Sequence, residues 1–401
     1  MDSPTQARPS LLTVFRHRNY RLFFAGQLLS LMGTWMQTIA QAWLVYRLTG
    51  SPLALGFVTF AAQAPVFFFT AFGGTIADRV DKRRAILAAQ SLLCMLAVAL
   101  SVLTFTEHVT FAMVAGLAFF FGLVNAVEIP TRQSFIVDMV GKDDLQSAIA
   151  LNSMMFNTAR IVGPAAAGVI VAWVGEAWCF ALNAVSYLAV IASLALMNVI
   201  SPVRVSRARA LQELREGFAY VSRHREIRAA LLALAASSFA GGPYMSLLPV
   251  MIQEVLGEGA QSFGIIWSGV GLGALLGAFT MGRLKDGALA RAPALAAIGF
   301  GLALILFSQS TVFWLSALLV VPTAYGLMLQ GSATNIIVQR LVEDRMRGRV
   351  MAYYTMSFLG MLPFGSLAAG ALALLEGAPL TLALGGLTSA GVGLLVLRRR
   401  G

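Results

Sequence analysis

Of 401 residues, 58% are apolar and 12% charged, against about 25% charged in a soluble domain. So few charges cannot cover a water-facing surface, which argues against a soluble enzyme or binding module. The net charge of +11 would suit nucleic acid, but its distribution along the chain assigns it to membrane topology, and no nucleic-acid partner is expected. Cys94 and Cys179 lie in apolar runs at no metal or redox spacing and read as small buried hydrophobes, so no metal site is expected.

Residues 1–21 are polar and Arg-bearing, and the apolar run after them is long enough to span. No cleavable signal peptide is therefore expected, and the first span reads as an uncleaved anchor. Charge-free runs follow at 22–46, 48–77, 85–106, 109–127, 177–203, 229–253, 259–282, 292–339, 350–375 and 377–397, with a further run, 145–175, broken only by Arg160. A spanning helix needs about 20 residues, so the run 292–339 divides at the polar turn Ser308-Gln309-Ser310-Thr311, which makes twelve predicted spans.

Orientation follows from Lys and Arg. With the N-terminus inside, only Arg47 and Arg160 of the 29 basic residues fall outside the cytoplasmic segments. The opposite loops are short and carry Glu107, Glu176, Glu254, Glu258 and Glu376. Both termini are thus expected in the cytoplasm, with an N-terminal six-helix bundle over 1–198, a cytoplasmic linker over 199–228 and a C-terminal six-helix bundle over 229–401. Within the linker, Leu211, Leu214, Phe218 and Val221 recur at helical spacing among Arg215, Arg223 and Arg225, which predicts an amphipathic helix lying at the bilayer surface.

Two weak matches about 200 residues apart suggest that the halves repeat. "GGTIADRVDKRR" (73–84) has a counterpart in "GAFTMGRLKDGALAR" (277–291), and "RIVGPAAAG" (160–168) in "GMLPFGSLAAG" (360–370). In the first, the Gly pair permits close helix approach, and Asp78 can accept from a helix N-terminus. Arg79, Lys82, Arg83 and Arg84 suit headgroups or cytoplasmic carboxylates. Glu128, just before Pro130 and Arg132, is the one acid at the edge of a span that no outer loop explains. It is read as a member of a cytoplasmic charge cluster with Arg79 or Arg132, and burial would raise its proton affinity while Arg132 would lower it.

In "NTARIVGPAAAG" (157–168), Arg160 sits roughly 20 Å into its span at about 1.5 Å per residue. An arginine at that depth is a functional candidate. It could attract an anionic substrate, serve as counter-ion to a carboxylate that titrates, or be satisfied by backbone carbonyls. Gly163, Pro164 and Gly168 offer a close-packed and locally bent seam, either permanent or moving. Gly241-Gly242-Pro243 interrupts the seventh span and would allow it to bend.

Gly74, Asp78, Arg79, Lys82 and Arg83 fit the signature that the major facilitator superfamily carries between its second and third helices, with Asp81 standing where that superfamily usually has Gly. The segments 19–56, 128–140, 150–168 and 347–372 resemble its branch of enterobactin-exporter and macrolide-efflux-like transporters. The resemblance implies an all-α integral membrane fold, two pseudo-symmetric six-helix bundles, and alternating access. It also implies a latch between the halves at Gly74, Asp78, Arg79 and Arg83, and an antiporter-type fifth-helix motif at Gly163, Pro164 and Gly168. Glu128, Arg132 and Arg160 become candidates for coupling, since the superfamily's usual fourth-helix arginine is missing. Cavity-lining helices one, four, seven and ten would present Trp35, Gln37, Gln41, Asn125, Ser237, Ser238, Tyr244, Tyr325, Gln330 and Asn335. That sparse polarity suits an amphiphilic organic molecule better than a sugar.

The expected function is secondary active export of a hydrophobic or siderophore-like small molecule across the bacterial cytoplasmic membrane. No cofactor is expected, the proton is the expected coupling ion, and the lipid bilayer is the only partner expected of a monomer. Uptake or lipid movement on the same fold is the alternative. A membrane enzyme is disfavoured because His17, His108 and His224 are scattered through termini and loops, and a fixed channel because paired halves with a Gly-Pro seam suit rocking.

Overall fold

The computed structural model describes residues 11–141, 143–199, 210–284 and 286–398, the side chains of residues 11, 12, 71–79, 210, 211 and 286 excepted. The expected latch residues Gly74, Asp78 and Arg79, and Leu211 of the linker stripe, therefore lie outside the described side chains. After a short 3-10 turn, Leu11–Arg16, the first six helices are α1 (Arg18–Thr49), α2 (Pro52–Arg79), α3 (Lys82–Phe105), α4 (Phe111–Val140), α5 (Leu145–Val174) and α6 (Glu176–Ala195). The linker helix α7 (Ala210–Arg223) follows. The remainder comprises α8 (Arg225–Ala240), α9 (Tyr244–Val250) with a π-helical turn at Met251–Val255, α10 (Ala260–Met281), the single turn α11 (Asp286–Leu289), α12 (Ala292–Gln309), α13 (Phe313–Leu341), α14 (Arg347–Phe358), α15 (Met361–Glu376) and α16 (Ala378–Arg398).

Local sequence sets these boundaries. Ser51 caps α2, its hydroxyl accepting from the Ala54 amide at 3.4 Å, and Pro52 takes the first helical position, where a missing N–H costs nothing. Asp81 caps α3 by accepting from the Arg84 amide at 2.9 Å. The residue that departs from the superfamily pattern thus has a structural task. Gly241-Gly242-Pro243 divides the seventh span into α8 and α9, and Leu359-Gly360 divides the eleventh into α14 and α15.

Among the described residues, eleven segments are long and apolar enough to cross a membrane. The twelfth span, α1, is 32 residues long and packs among the others, but Gln27, Ser30, Thr34, Gln37, Thr38 and Gln41 dilute its hydropathy. Trp173, Trp178 and Trp314 are exposed at the ends of α5, α6 and α13 near the acidic loops, where aromatic side chains mark a membrane–water interface.

The two halves repeat one pattern of helix contacts. In the first, α1 packs on α6, α2 on α4 and α3 on α6; in the second, α8 packs on α16, α10 on α13 and α12 on α16. The halves meet through α5 with α10 and α2 with α15, pairs that exchange under the repeat. Lipid tails are as apolar as Leu, so close backbone approach and dispersion supply much of this adhesion. Gly301 on α12 shows the principle, because a Cβ there would lie 2.6 Å from the Ala390 amide nitrogen on α16.

The linker helix does not lie free on the bilayer. Its Val221 is buried with Ile227, Val338 and Val350, the Tyr353 hydroxyl donates to the Leu214 carbonyl at 2.9 Å, and Arg349 pairs with Glu216 at 2.6 Å. Gly217, with Tyr353 and Arg349 against it, lets α7 settle on α14, while Phe218 stays exposed.

Replacing Gly301 by Leu should destabilise the protein by about 1–3 kcal/mol through overpacking. Gly299→Leu, on the same helix but with open space at its Cβ position, should change little. Thermal unfolding of the two purified variants in one detergent checks this.

Candidate functional site

Among the described side chains, the two halves share a core at one end of their seam and not at the other. Near the acidic loops, Pro52 and Gly56 on α2 touch Gly370 and Ser366 on α15, and Gly168 on α5 touches Gly264 on α10, where an added Cβ would lie 2.9 Å from the facing Cα. A single hydrophobic cluster there joins both halves, including Ile39, Leu44, Val58 and Ala167 from one and Tyr244, Phe263, Val270 and Ala369 from the other. Towards the basic end the described side chains form separate cores. One cluster draws only on the first half, around Phe23, Phe135, Met139 and Leu151, and others only on the second, around Val338 and Val350 or Leu289 and Ile337. The principal contacts of α14 are all with α7, α8, α13, α15 and the preceding turn.

Polar bonds follow the same division. The Tyr46 hydroxyl donates to the Glu254 carboxylate across the closed end. Ser246 of α9 bonds Ser366 at 3.0 Å and Thr59 of α2 at 3.3 Å, and Ser268 of α10 donates to the Ile161 carbonyl of α5 at 2.9 Å. Beside Tyr46, Arg47 pairs with Glu176 at 2.8 Å within the first half.

Arg160 lies at the inner margin of this closed seam. Its backbone carbonyl would stand 3.0 Å from a Cβ on Gly271 of α10. One terminal nitrogen donates to Asn157 at 3.2 Å, while its buried Nε has no partner, as is also true of the Tyr244 hydroxyl and the Trp267 indole nitrogen. Of the readings open for Arg160, satisfaction by backbone carbonyls is not the arrangement seen. Tyr244 is wholly buried. Trp35 bridges the group: its ring lies 5.9 Å from that of Trp267 and 5.8 Å, edge-on, from that of Phe156, with its Cβ against Gly163. Gly163 and Pro164 are both buried in this packing, and the Pro164 carbonyl faces Gly264 across the seam at 2.6 Å from its Cβ position.

The other expected lining residues lie apart from this group or turn inward. Asn183 donates to Gln37 at 2.7 Å inside the first half, Asn125 donates to the Phe121 carbonyl of its own helix at 2.8 Å, and Gln330 donates to Ser237 at 3.1 Å inside the second. Gln339 donates to Asn335 at 2.6 Å. Gln41 and Tyr325 are half-buried and Ser238 is buried. Phe156, Trp267 and Glu254 had no distinguishing signal in the sequence: two are apolar residues in apolar runs, and the third is one acid among several in the outer loops.

Glu128 is buried and held by Arg132 at 2.9 Å and Gln90 at 3.1 Å. Arg160 is not among those partners. Lys82 pairs with Asp138 at 2.8 Å, both nearly buried, and Arg83 donates to the Leu194 and Ala195 carbonyls at 2.7 Å, capping α6. Asp144 accepts from Arg16 and His17, each at 2.8 Å. The His17 bond, more than the neighbouring Arg16 charge, holds its carboxyl below the usual carboxylate range. These contacts all bind parts of the first half to one another. Among the described residues no group of three or more His, Cys, Asp or Glu is placed to hold a metal ion.

Residues 9–400 match the family model described as "Transmembrane secretion effector". The chain is 28% identical over 356 residues to the "Staphyloferrin A transporter" of Staphylococcus aureus, covering 86% of this chain and 87% of that one. It is 20% identical to the "Enterobactin exporter EntS" of Shigella boydii, over 84% of this chain and 81% of that one. Among solved structures, a bacterial homologue of the human lysosomal transporter Spinster in an inward-facing state aligns with TM-score 0.73 at 14% identity, over 98% of both chains. A bacterial homologue of the iron transporter ferroportin, also inward-facing, aligns with TM-score 0.73 at 13% identity, over 97% of this chain and 99% of that one.

Removing the Tyr46 hydroxyl should loosen the closed end. A lost hydrogen bond of about 1 kcal/mol corresponds to roughly a fivefold rise in opening. In a protein without Cys94 and Cys179, Phe263→Cys, a wholly buried position beside Trp43, should then react faster with a thiol reagent when Tyr46→Phe is added. Glu254→Gln should act less, since its amide oxygen still accepts. Equal reaction rates in all three proteins would contradict this role.

Proposed function

The chain belongs to the transmembrane secretion effector family of the major facilitator superfamily, and from that premise we propose that it exports a hydrophobic or siderophore-like small molecule by alternating access, in exchange for protons. It is a multi-pass membrane transporter and not an enzyme. The observation that carries the mechanism is the one-ended seam: a core shared by both halves lies near the acidic loops, the inter-half hydrogen bonds described above reach from there to the level of Ile161, and among the described side chains the cores at the basic end are separate. With the basic end in the cytoplasm, the arrangement is a loading state whose mid-membrane residues are approached from inside. Rocking the halves about Arg160 and Trp35 would close that end and open the other.

Two relatives named for siderophores support that substrate class, and the one named an exporter supports the direction. The apolar, aromatic setting of Trp35, Phe156 and Trp267 suits an amphiphilic body. In the exchange, Glu128 is the proton site. Protonation would neutralise its buried carboxylate and free Arg132, while a charged Glu128 keeps the pair intact. The protein acts as a monomer in the lipid bilayer of the bacterial cytoplasmic membrane, with no cofactor beyond the coupling proton.

Proteoliposomes carrying a pH dye and challenged with a siderophore and drug panel test this reading. Wild-type protein should show substrate-dependent proton movement, and Glu128→Gln should lose the proton signal by tenfold or more. Substrate flux undiminished in wild type without any proton signal would contradict antiport and leave Glu128 a structural residue.

A further inference from the structure

We propose that Gln90 is the positioning residue of the proton site: its amide nitrogen holds the ionised Glu128 carboxylate, and its amide oxygen accepts the hydrogen bond of the neutral acid. The assignment rests on the reading of Glu128 as the proton site and adds the partner that satisfies both of its charge states.

Gln90 is the one amide side chain on α3. It is buried, as is Glu128, and its Nε2 donates to Glu128 Oε1 at 3.1 Å. Arg132 Nε donates to the same oxygen at 2.9 Å. Both donors thus converge on Oε1, which leaves Oε2 of that carboxylate as the position for an added proton.

The amide oxygen of Gln90 is buried without a partner. An ionised carboxylate only accepts, so it can do nothing for that oxygen and obliges the amide to turn its N–H inward. A side chain needed only to hold a charged Glu128 would better be a pure donor, with no buried acceptor left over. Protonation supplies what is lacking. The neutral carboxyl carries an O–H donor, and the Gln90 oxygen is bonded to the same carbon as the nitrogen already in place. A rotation of either side-chain end lets Oε2–H donate to Gln90 Oε1, while Nε2–H keeps its bond to Glu128 Oε1. Only a proton enters the site. The uncompensated charge is left on Arg132, the more accessible partner, their side chains being 15% and 3% exposed.

Among the described side chains, the titratable groups that the surrounding helices turn inward have partners of their own. Tyr187 of α6 packs with Leu93 and Val124, its hydroxyl 3.4 Å from that of Thr34. On α3, Lys82 is committed to Asp138 at 2.8 Å, and Cys94 donates to the Ala184 carbonyl at 3.4 Å. Tyr20 of α1 donates to the Ala148 carbonyl and Arg160 of α5 to Asn157. The described side chains of α2 include no titratable group. Gln90 and Arg132 are therefore the groups that answer a change of charge on Glu128.

The test follows the pH-difference infrared spectrum of the full-length protein in lipid bilayers. Protonated Glu128 should give a carboxyl carbonyl band that Glu128→Gln abolishes. A hydrogen-bonded acid absorbs at lower wavenumber than a free one. Gln90→Met, similar in size but without an amide, should therefore move the band to higher wavenumber. Gln90→Glu, which sets two carboxylates to share one proton, should keep the band low and split its titration into two steps. If Gln90→Met does not fold, this second variant decides alone. A Glu128 band that Gln90→Met leaves in place, or a titration that Gln90→Glu leaves in one step, would overturn the role of Gln90 while leaving Glu128 the proton site. Absence of any band sensitive to Glu128→Gln would overturn both.

Discussion

Close backbone contact at one end of the seam is the constraint on which the rest of this structure depends. Where Gly168 meets Gly264, and Gly56 meets Ser366, no side chain separates the helices. Adhesion there comes from dispersion and a few hydrogen bonds, each of modest size in a membrane. Contacts of that kind are strong enough to hold a closed end and weak enough to be exchanged for equivalent contacts elsewhere. A seam of interlocked large side chains would fix the halves in one arrangement.

Alternating access as proposed requires each half to move as a rigid body, and the charges of the first half tie its helices together. Lys82 with Asp138 joins α3 to α4, Glu128 with Arg132 and Gln90 joins the same two helices nearer the membrane centre, and Asp144 with Arg16 and His17 fastens the N-terminal turn to the start of α5. Breaking a buried pair leaves a charge without compensation, so Lys82 with Asp138 does not part readily, and in the proposed exchange Glu128 releases Arg132 only when it is neutralised. The backbone ladder is interrupted at Gly241-Gly242-Pro243 and at Leu359-Gly360. Those two breaks are neighbours, since Gly242 packs against Leu362 and Gly365 against Pro243, and the Phe67 ring of the first half fits against Gly360.

Much of this was legible in the amino-acid sequence because the membrane imposes length and sign rules on it. The polar turn at 308–311 falls where α12 ends at Gln309 and α13 begins at Phe313. The break in the seventh span and the odd placement of Arg160 were visible as departures from an apolar background. Phe156 and Trp267 were not, because a helix that is apolar all round carries no periodic mark of the face that meets its partner. Glu254 was hidden for a different reason: its role comes from Tyr46, 208 residues away. The bilayer-facing stripe expected of the linker is in part a protein-facing one, since Gly217 gives Tyr353 room to approach. Several polar residues expected in the cavity, Gln37, Asn125 and Gln330 among them, have bonding partners within their own halves, which depth and helix number alone do not reveal.

The central claim, that the two ends of the seam open in alternation, is tested most directly by electron–electron distances between spin labels. One pair would sit at Ile149 and Phe279, exposed on α5 and α10 towards the basic end, and another at Trp173 and Gln261 at the acidic end, in a background free of Cys94 and Cys179. Gly168→Leu, which forces the closed end apart, should lengthen the second distance and shorten the first. A longer acidic-end distance with the basic end unchanged would mean that the seam merely splays, and would contradict alternating access.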